Sequence, residues 1–228
     1  MPTLITLLPL LYGGASATPS VLAEDIHGLL DAPSGWVFVE KDKTTGVQVY
    51  RKPIASLGLT AWKATKTLHP KVTPGAFVAV VKDLEGRDDR DAKLLVSDIV
   101  AQDGPHTTYV QVYDSPGPMA NRYWICRAVD HHDPAAGAGH WKRRWSSPPP
   151  TALGDLRASL RAAHPRAVEV AITHGSWELG PQADGSTLVT YISVADPGGS
   201  VPKGVMSMVT GRNLPDHITR IEAEAQGR

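Results

Sequence analysis

Residues 177–202 decide how this chain is read: Trp177-Glu178-Leu179, then Asp184-Gly185-Ser186, then Thr187-Leu188-Val189-Thr190-Tyr191, then Asp196-Pro197-Gly198-Gly199-Ser200-Val201-Pro202. Two runs rich in β-branched and aromatic residues flank a polar Asp-Gly-Ser turn. That pattern predicts antiparallel strands over Ala167 to Leu179 and Thr187 to Ala195. Asp-Pro-Gly-Gly stops the second strand. After Pro202, a terminal helical region carries Val205, Met208, Val209, Ile218 and Ile221. Pro215 is expected to break or kink it, or to open a second helix.

Working back from this stretch, more strands follow one another with short turns between. Trp36-Val37-Phe38-Val39-Glu40 and Val47-Gln48-Val49-Tyr50-Arg51 flank a Thr-Thr-Gly turn and read as a hairpin. Leu59 to Leu68 reads as a long strand, with Thr60, Trp62, Ala64 and Lys66 on one face. Further strands are predicted at Lys93 to Val100, Thr107 to Tyr113, Arg122 to Asp130 and His140 to Trp145. A helix is predicted from residue 21, on Val21, Leu22, Ile26, Leu29 and Leu30. Another is predicted through Lys82, with Thr73 as N-cap and Pro74 in the first turn. Leu153 to Ala163 reads as a short helix or an ordered loop. The total is about nine strands with a helix near each end and one between: an α+β chain with an antiparallel sheet.

Composition narrows the function. The 228 residues suit one sizeable domain. Lys plus Arg and Asp plus Glu balance at 23 each, which argues against a nucleic-acid partner. One cysteine, Cys126, rules out an intramolecular disulfide and reads as a small buried residue. Leu4 to Tyr12 is almost wholly apolar and is followed by Ala15-Ser16-Ala17, a small-x-small pattern. Residues 1–17 are therefore expected to be a signal peptide, and 20–228 the domain, in a secreted or periplasmic protein; the alternative is a frayed N-terminal segment on a cytoplasmic one. The run is too short to span a bilayer.

No catalytic motif stands out. His174-Gly175-Ser176-Trp177-Glu178 lacks the second Gly of a nucleophile elbow, and Gly137-x-Gly139 lacks the third Gly of a dinucleotide site. His131-His132-Asp133 with His140 is the best metal candidate, but its spacing matches no established site, so no metal and no cofactor are expected. Asp88-Asp89-Arg90-Asp91 reads as a solvated loop. In Trp141-Lys142-Arg143-Arg144-Trp145, alternation puts Trp141, Arg143 and Trp145 on an inner face and Lys142 and Arg144 on a cationic outer face.

The ordered blocks resemble the START (steroidogenic acute regulatory-related lipid transfer) family, bacterial type, over about residues 20 to 227. Residues 177–202 carry the likeness. Pro116-Gly117-Pro118-Met119-Ala120-Asn121-Arg122-Tyr123-Trp124 and the opening Gly35-Trp36 add to it. Tyr123 stands where the family usually has an acid, and the Ser146–Arg166 insert is longer and richer in Pro and Ala. The resemblance implies a helix-grip fold: a curved antiparallel sheet wrapped around the C-terminal helix, with a lipid-sized cavity between them.

The expected function is binding, and possibly transfer, of a lipid or other hydrophobic molecule without chemistry. Transient contact with a membrane surface is expected to accompany it. Arg122, Arg143 and Tyr191 are the expected polar anchors, lined by Trp62, Tyr109, Trp124, Trp177, Met206 and Met208. The alternative is a cyclase-like enzyme on the same architecture, with His174 or Glu178 as general acid.

Overall fold

In a computed structural model, the described residues are 21–227 apart from 116, 118, 132–137 and 200–202; for 21–25 and 203–212 only the helical backbone is described. The expected leader therefore lies outside the described residues. In chain order the elements are α1 (Val21–Asp31), β1 (Val37–Lys41), β2 (Gln48–Ile54), β3 (Leu59–Thr67), α2 (Pro74–Lys82), β4 (Leu94–Asp103), β5 (His106–Tyr113), β6 (Arg122–His131), β7 (Trp141–Ser146), α3 (Gly154–Ala163), β8 (Val168–Glu169), β9 (Ile172–Pro181), β10 (Thr187–Asp196) and α4 (Lys203–Gln226).

The strands form one curved sheet in the order β1-β2-β3-β10-β9-β7-β6-β5-β4, with β8 paired to β6. All pairings are antiparallel except β6 with β8. Local chemistry sets the corners. Asp42 Oδ1 accepts from the backbone N–H groups of Thr44 and Thr45 at 3.1 and 2.7 Å, which closes the β1–β2 hairpin. Thr73 Oγ1 accepts from the Ala76 N–H at 3.1 Å and caps α2 ahead of Pro74.

Strand alternation then sorts side chains onto two faces. On the inner face, α2 and α4 pack against the sheet: Phe77, Val80 and Val81 from α2 and Leu214, Ile218, Ile221 and Ala225 from α4 meet Val49, Trp62, Trp177 and Val189. Glu222 on α4 pairs with Lys66 on β3 and accepts the His69 backbone N–H at 2.7 Å, which pins the far end of the helix to the sheet. On the outer face, α1 covers one half of the sheet, with Ile26 and Leu30 against Ile54, Ala61, Ile192 and Val194. Helix α3 covers the other, with Leu160 against Val110, Val112, Tyr123 and Ile125.

Two expectations change, and one left open between two forms is decided. The single strand predicted at Ala167 to Leu179 is two, because β8 runs parallel beside β6 before the chain crosses to pair β9 with β7, giving ten strands. Leu153 to Ala163 contains a helix, α3. Its start is unusual: Leu153 is left-handed (φ 58°) and supplies no side-chain cap. Arg157 compensates. It bonds Glu169 Oε1 at 2.8 Å and gathers the carbonyls of Pro149, Pro150 and Ala152, so one guanidinium organises the proline-rich insert. Finally, α4 runs through Pro215 unbroken.

Candidate functional site

Between the inner face and α4 lies a cavity of about 1230 Å³. Cross-strand register assembles its wall. Trp62 on β3 faces Ser193 on β10, Tyr191 on β10 faces Trp177 on β9, and Trp177 faces Arg143 on β7. Farther along, Tyr109 on β5 faces Cys126 on β6, and Gln111 faces Trp124. Trp62, Tyr109, Arg122, Trp124, Arg143, Trp177 and Tyr191, named above from sequence, all line this one cavity. Met206 and Met208 fall on α4 where side chains are not described.

Aromatic rings cluster on the wall. Trp145 stacks on Tyr191 with centroids 5.6 Å apart, Tyr191 lies 4.5 Å from Trp177, and Phe77 meets Trp177 edge-on at 5.6 Å. Gly175, opposite Trp145, gives that indole its place, since a side chain there would collide with the ring. Burial pushes the Tyr191 phenol and the Cys126 thiol up to about 12 each, so both are neutral. A thiol held there is a poor nucleophile.

Sequence reading missed His217. It sits on α4 with Tyr191 at 5.2 Å and Trp177 at 5.4 Å. Arg220 Nη2 lies 3.3 Å from His217 Nδ1 and is itself paired with Asp91 at 2.8 Å. A guanidinium can only donate, so Nδ1 accepts and the ring proton resides on Nε2. Burial, reinforced by Arg220, lowers its pKa to about 3, and the ring is neutral. The signal was present: Leu214, His217, Ile218, Ile221 and Ala225 recur at helical spacing on one stripe.

The two inward arginines differ in how they are held. Arg143 Nη1 donates to Asp130 at 2.6 Å, and Lys82 bonds the other oxygen of Asp130 at 2.6 Å. Burial raises the Asp130 pKa, but these two cations outweigh it and hold the carboxyl below the usual range. Arg122 meets no carboxylate among the described residues. Its Nε donates to the Pro197 carbonyl at 2.9 Å and its Nη1 to the Ala120 carbonyl. Arg122 thereby ties the start of β6 to the Asp196–Gly199 turn, where Gly198 and Gly199 both take positive φ (63° and 68°).

Four residues have surroundings other than those expected. Lys142 and Arg144 do point outward, but not into water: both pair with Asp31 at the end of α1, Lys142 at 2.7 Å. His174 and Glu178 alternate with Thr173 and Trp177 on β9, so they face α1 rather than the cavity. His174 packs edge-on against His27 at 5.8 Å, and burial lowers both pKa values to about 4. Glu178 receives His140 Nε2 and Lys142 Nζ, each at 3.0 Å. The Asp88–Asp91 loop is also tied down, through Arg90 to Glu224 at 3.1 Å and Asp91 to Arg220.

His132 and Asp133 lie outside the described residues. Among the described residues no group of His, Cys, Asp and Glu is placed to hold a metal, and no helix is long and apolar enough to cross a membrane.

Neither a scan against protein-family models nor a search of curated protein sequences finds a match. Solved structures do. Human STARD10 superposes with a TM-score of 0.69 at 17% identity, over 92% of this chain and 80% of that one. A STAR-related lipid transfer protein from Xanthomonas axonopodis gives 0.65 at 19% identity, over 85% and 99%. Human StAR-related lipid transfer protein 5 gives 0.65 at 14%, over 90% and 91%. A curved sheet gripping a C-terminal helix, superposing on these proteins over most of its length, gives this chain the START-like, helix-grip fold.

Proposed function

We propose that this protein binds a hydrophobic molecule of lipid size in the cavity between the sheet and α4, and carries it without chemistry. The observation that carries this reading is the cavity itself. Its volume of about 1230 Å³ exceeds the roughly 300–1,000 Å³ usual for small-molecule sites. Its wall brings Trp62, Trp124, Trp145, Trp177, Tyr109 and Tyr191 together, alongside charged residues that include Arg87, Asp91, Arg122, Arg143 and Arg220. Each methylene moved from water into such a wall contributes about 0.8 kcal/mol. Arg143, Tyr191 and the remaining Nη2 of Arg122 supply the polar contacts. The solved neighbours bearing the name lipid transfer protein support the same class of ligand. The two candidates named for the enzyme reading, His174 and Glu178, stand on the other side of the sheet.

Native mass spectrometry of protein isolated from its host, with solvent extraction of what is bound, tests the proposal. The expected result is a co-purifying apolar ligand that is lost when Trp177→Arg places a charge in the wall. A protein that emerges empty and takes up no lipid from added vesicles would overturn it.

Export of the chain, through cleavage after Ala17, is proposed alongside. It rests on the apolar run and the Ala15-Ser16-Ala17 site.

A further inference from the structure

The sheet ends at β1, and the apolar surface left exposed gathers there. Val37, Phe38 and Val39 are 52%, 54% and 41% exposed, and Leu29 on α1 is 42% exposed. Apart from Leu95, these are all the exposed large hydrophobic residues among those described. Trp36, Phe38 and Tyr50 form one joined group around Lys63, and Val37 and Val39 flank Phe38 on the same edge strand. The Phe38 ring meets Tyr50 edge-on at 5.6 Å. Lys63 Nζ stands 4.6 Å from the Trp36 ring and 4.7 Å from Tyr50. Lys52 Nζ stands 5.5 Å from Trp36 and donates to the Leu29 carbonyl at 2.6 Å. Scattered exposed hydrophobic residues need no explanation, but a joined patch does.

Charge says what the patch meets. Between residues 36 and 66 the cations are Lys41, Lys43, Arg51, Lys52, Lys63 and Lys66, against Glu40 and Asp42, in a chain whose net charge is zero. Lys66 is engaged by Glu222 and Lys52 by the Leu29 and Ala32 carbonyls, which leaves Lys41, Lys43, Arg51 and Lys63 for the surface. Lys41, Lys43 and Arg51 are exposed. Asp42 is engaged with Thr44 and Thr45 in the hairpin turn. A sheet edge can also recruit another strand, but β1 is built against that. A bulge between Phe38 and Glu40 breaks its register, and bulges and lysines are the devices that keep edges from pairing.

We propose that the β1 edge is a membrane-docking surface for a bilayer that carries anionic headgroups. Trp36, Phe38 and Tyr50 lodge at the level where aromatic rings favour the membrane–water boundary, and the lysines meet lipid phosphates. Val37 pairs with Arg51, and Arg51 also lines the cavity. Docking therefore brings one margin of the cavity to the membrane; only this last link rests on the proposed function.

Sedimentation of the whole protein with sucrose-loaded vesicles tests the surface. Vesicles of phosphatidylcholine with about one-third phosphatidylserine are expected to bind it, vesicles of phosphatidylcholine alone to bind it far less, and salt to weaken binding. Each cation near such a surface is worth roughly fivefold in binding, so Lys41→Gln with Lys43→Gln is expected to weaken it about twentyfold. Phe38→Ser is expected to weaken it without lowering the melting temperature, because the ring is already half-exposed. Leu95→Ser, on the opposite edge, is expected to change nothing. Equal binding to both vesicle types, or equal loss with Leu95→Ser, overturns the proposal. So does a concentration-dependent dimer that Phe38→Ser abolishes, since the edge would then belong to a second copy. Ligand retention is read separately by mass spectrometry on the same variants, so an empty cavity and an idle surface are distinct results.

Discussion

Trp145 lies against Gly175: a methyl group there would stand 2.7 Å from the indole Cη2 and would also strike the Ile192 carbonyl. Tyr191 is stacked on the indole, so the two rings must shift together. Gly175→Ala is therefore expected to cost about 1–3 kcal/mol, the usual range for overpacking. It should also displace Trp145 into the cavity. Thermal unfolding with lipid uptake checks this, and uptake is expected to fall more than stability.

Arg122 joins two parts of the chain that are distant in sequence. Its bonds to the Pro197 and Ala120 carbonyls make it part of the scaffold as well as of the cavity wall. Arg122→Met is expected to lower stability by about 2 kcal/mol, since hydrogen bonds to charged groups contribute roughly 1.5–3 kcal/mol. It is also expected to weaken uptake of anionic lipids more than neutral ones. Chemical denaturation and paired uptake measurements check both parts. Equal loss for the two lipid classes would leave Arg122 with the scaffold alone.

His217 makes stability depend on pH. Its folded pKa is about 3, against about 6.5 in an unfolded chain, so below pH 6.5 only the unfolded state takes up the proton. The stabilisation is full above pH 6.5 and is lost as pH falls toward 3. His27 and His174, at about 4, act in the same direction. His217→Phe is expected to flatten the stability profile by about 1.4 kcal/mol per pH unit between pH 5.5 and pH 4. Urea melts across that range are the measurement. A profile parallel to the parent's would contradict the assignment of His217 as a buried neutral group.

Export predicts a specific mature end. N-terminal sequencing of the native protein is expected to begin at Thr18 or within a few residues. An intact Met1 in a cytosolic fraction would count against it.

What could be read in advance follows from what alternation and turns encode. The hairpin at Asp42, the capped start of α2 and the inward row Trp141, Arg143 and Trp145 are local facts, written in spacing and in residue type. So was the set of aromatics on the cavity wall, because a strand's side-chain direction is fixed once its register is known. Three features were not local. His174 and Glu178 were placed on the correct strand, but which element covers their face depends on where α1 docks, and Asp31 reveals that only in three dimensions. The continuity of α4 through Pro215 depends on tertiary support: Leu214 and Ile218, on either side, are both held in the core. Helix α3 lacks an N-terminal cap in its sequence, and Arg157 organises its start from within the helix.

The register that seals the cavity also sets how the chain must fold. Trp62 lies beside Ser193 and Ala64 beside Tyr191, partners more than a hundred residues apart. No early segment can complete the sheet, because β3 waits for β10, nearly the last strand made. Contacts of such long range delay folding, since chain entropy is lost before the contacts repay it. During synthesis, β1 to β3 therefore remain a three-stranded ribbon with one margin unpaired, until residues 187–196 arrive. In that interval the margin at β3, a central strand of the finished protein, is open in addition to the permanent edge at β1, and it is the one most vulnerable to pairing with the wrong chain.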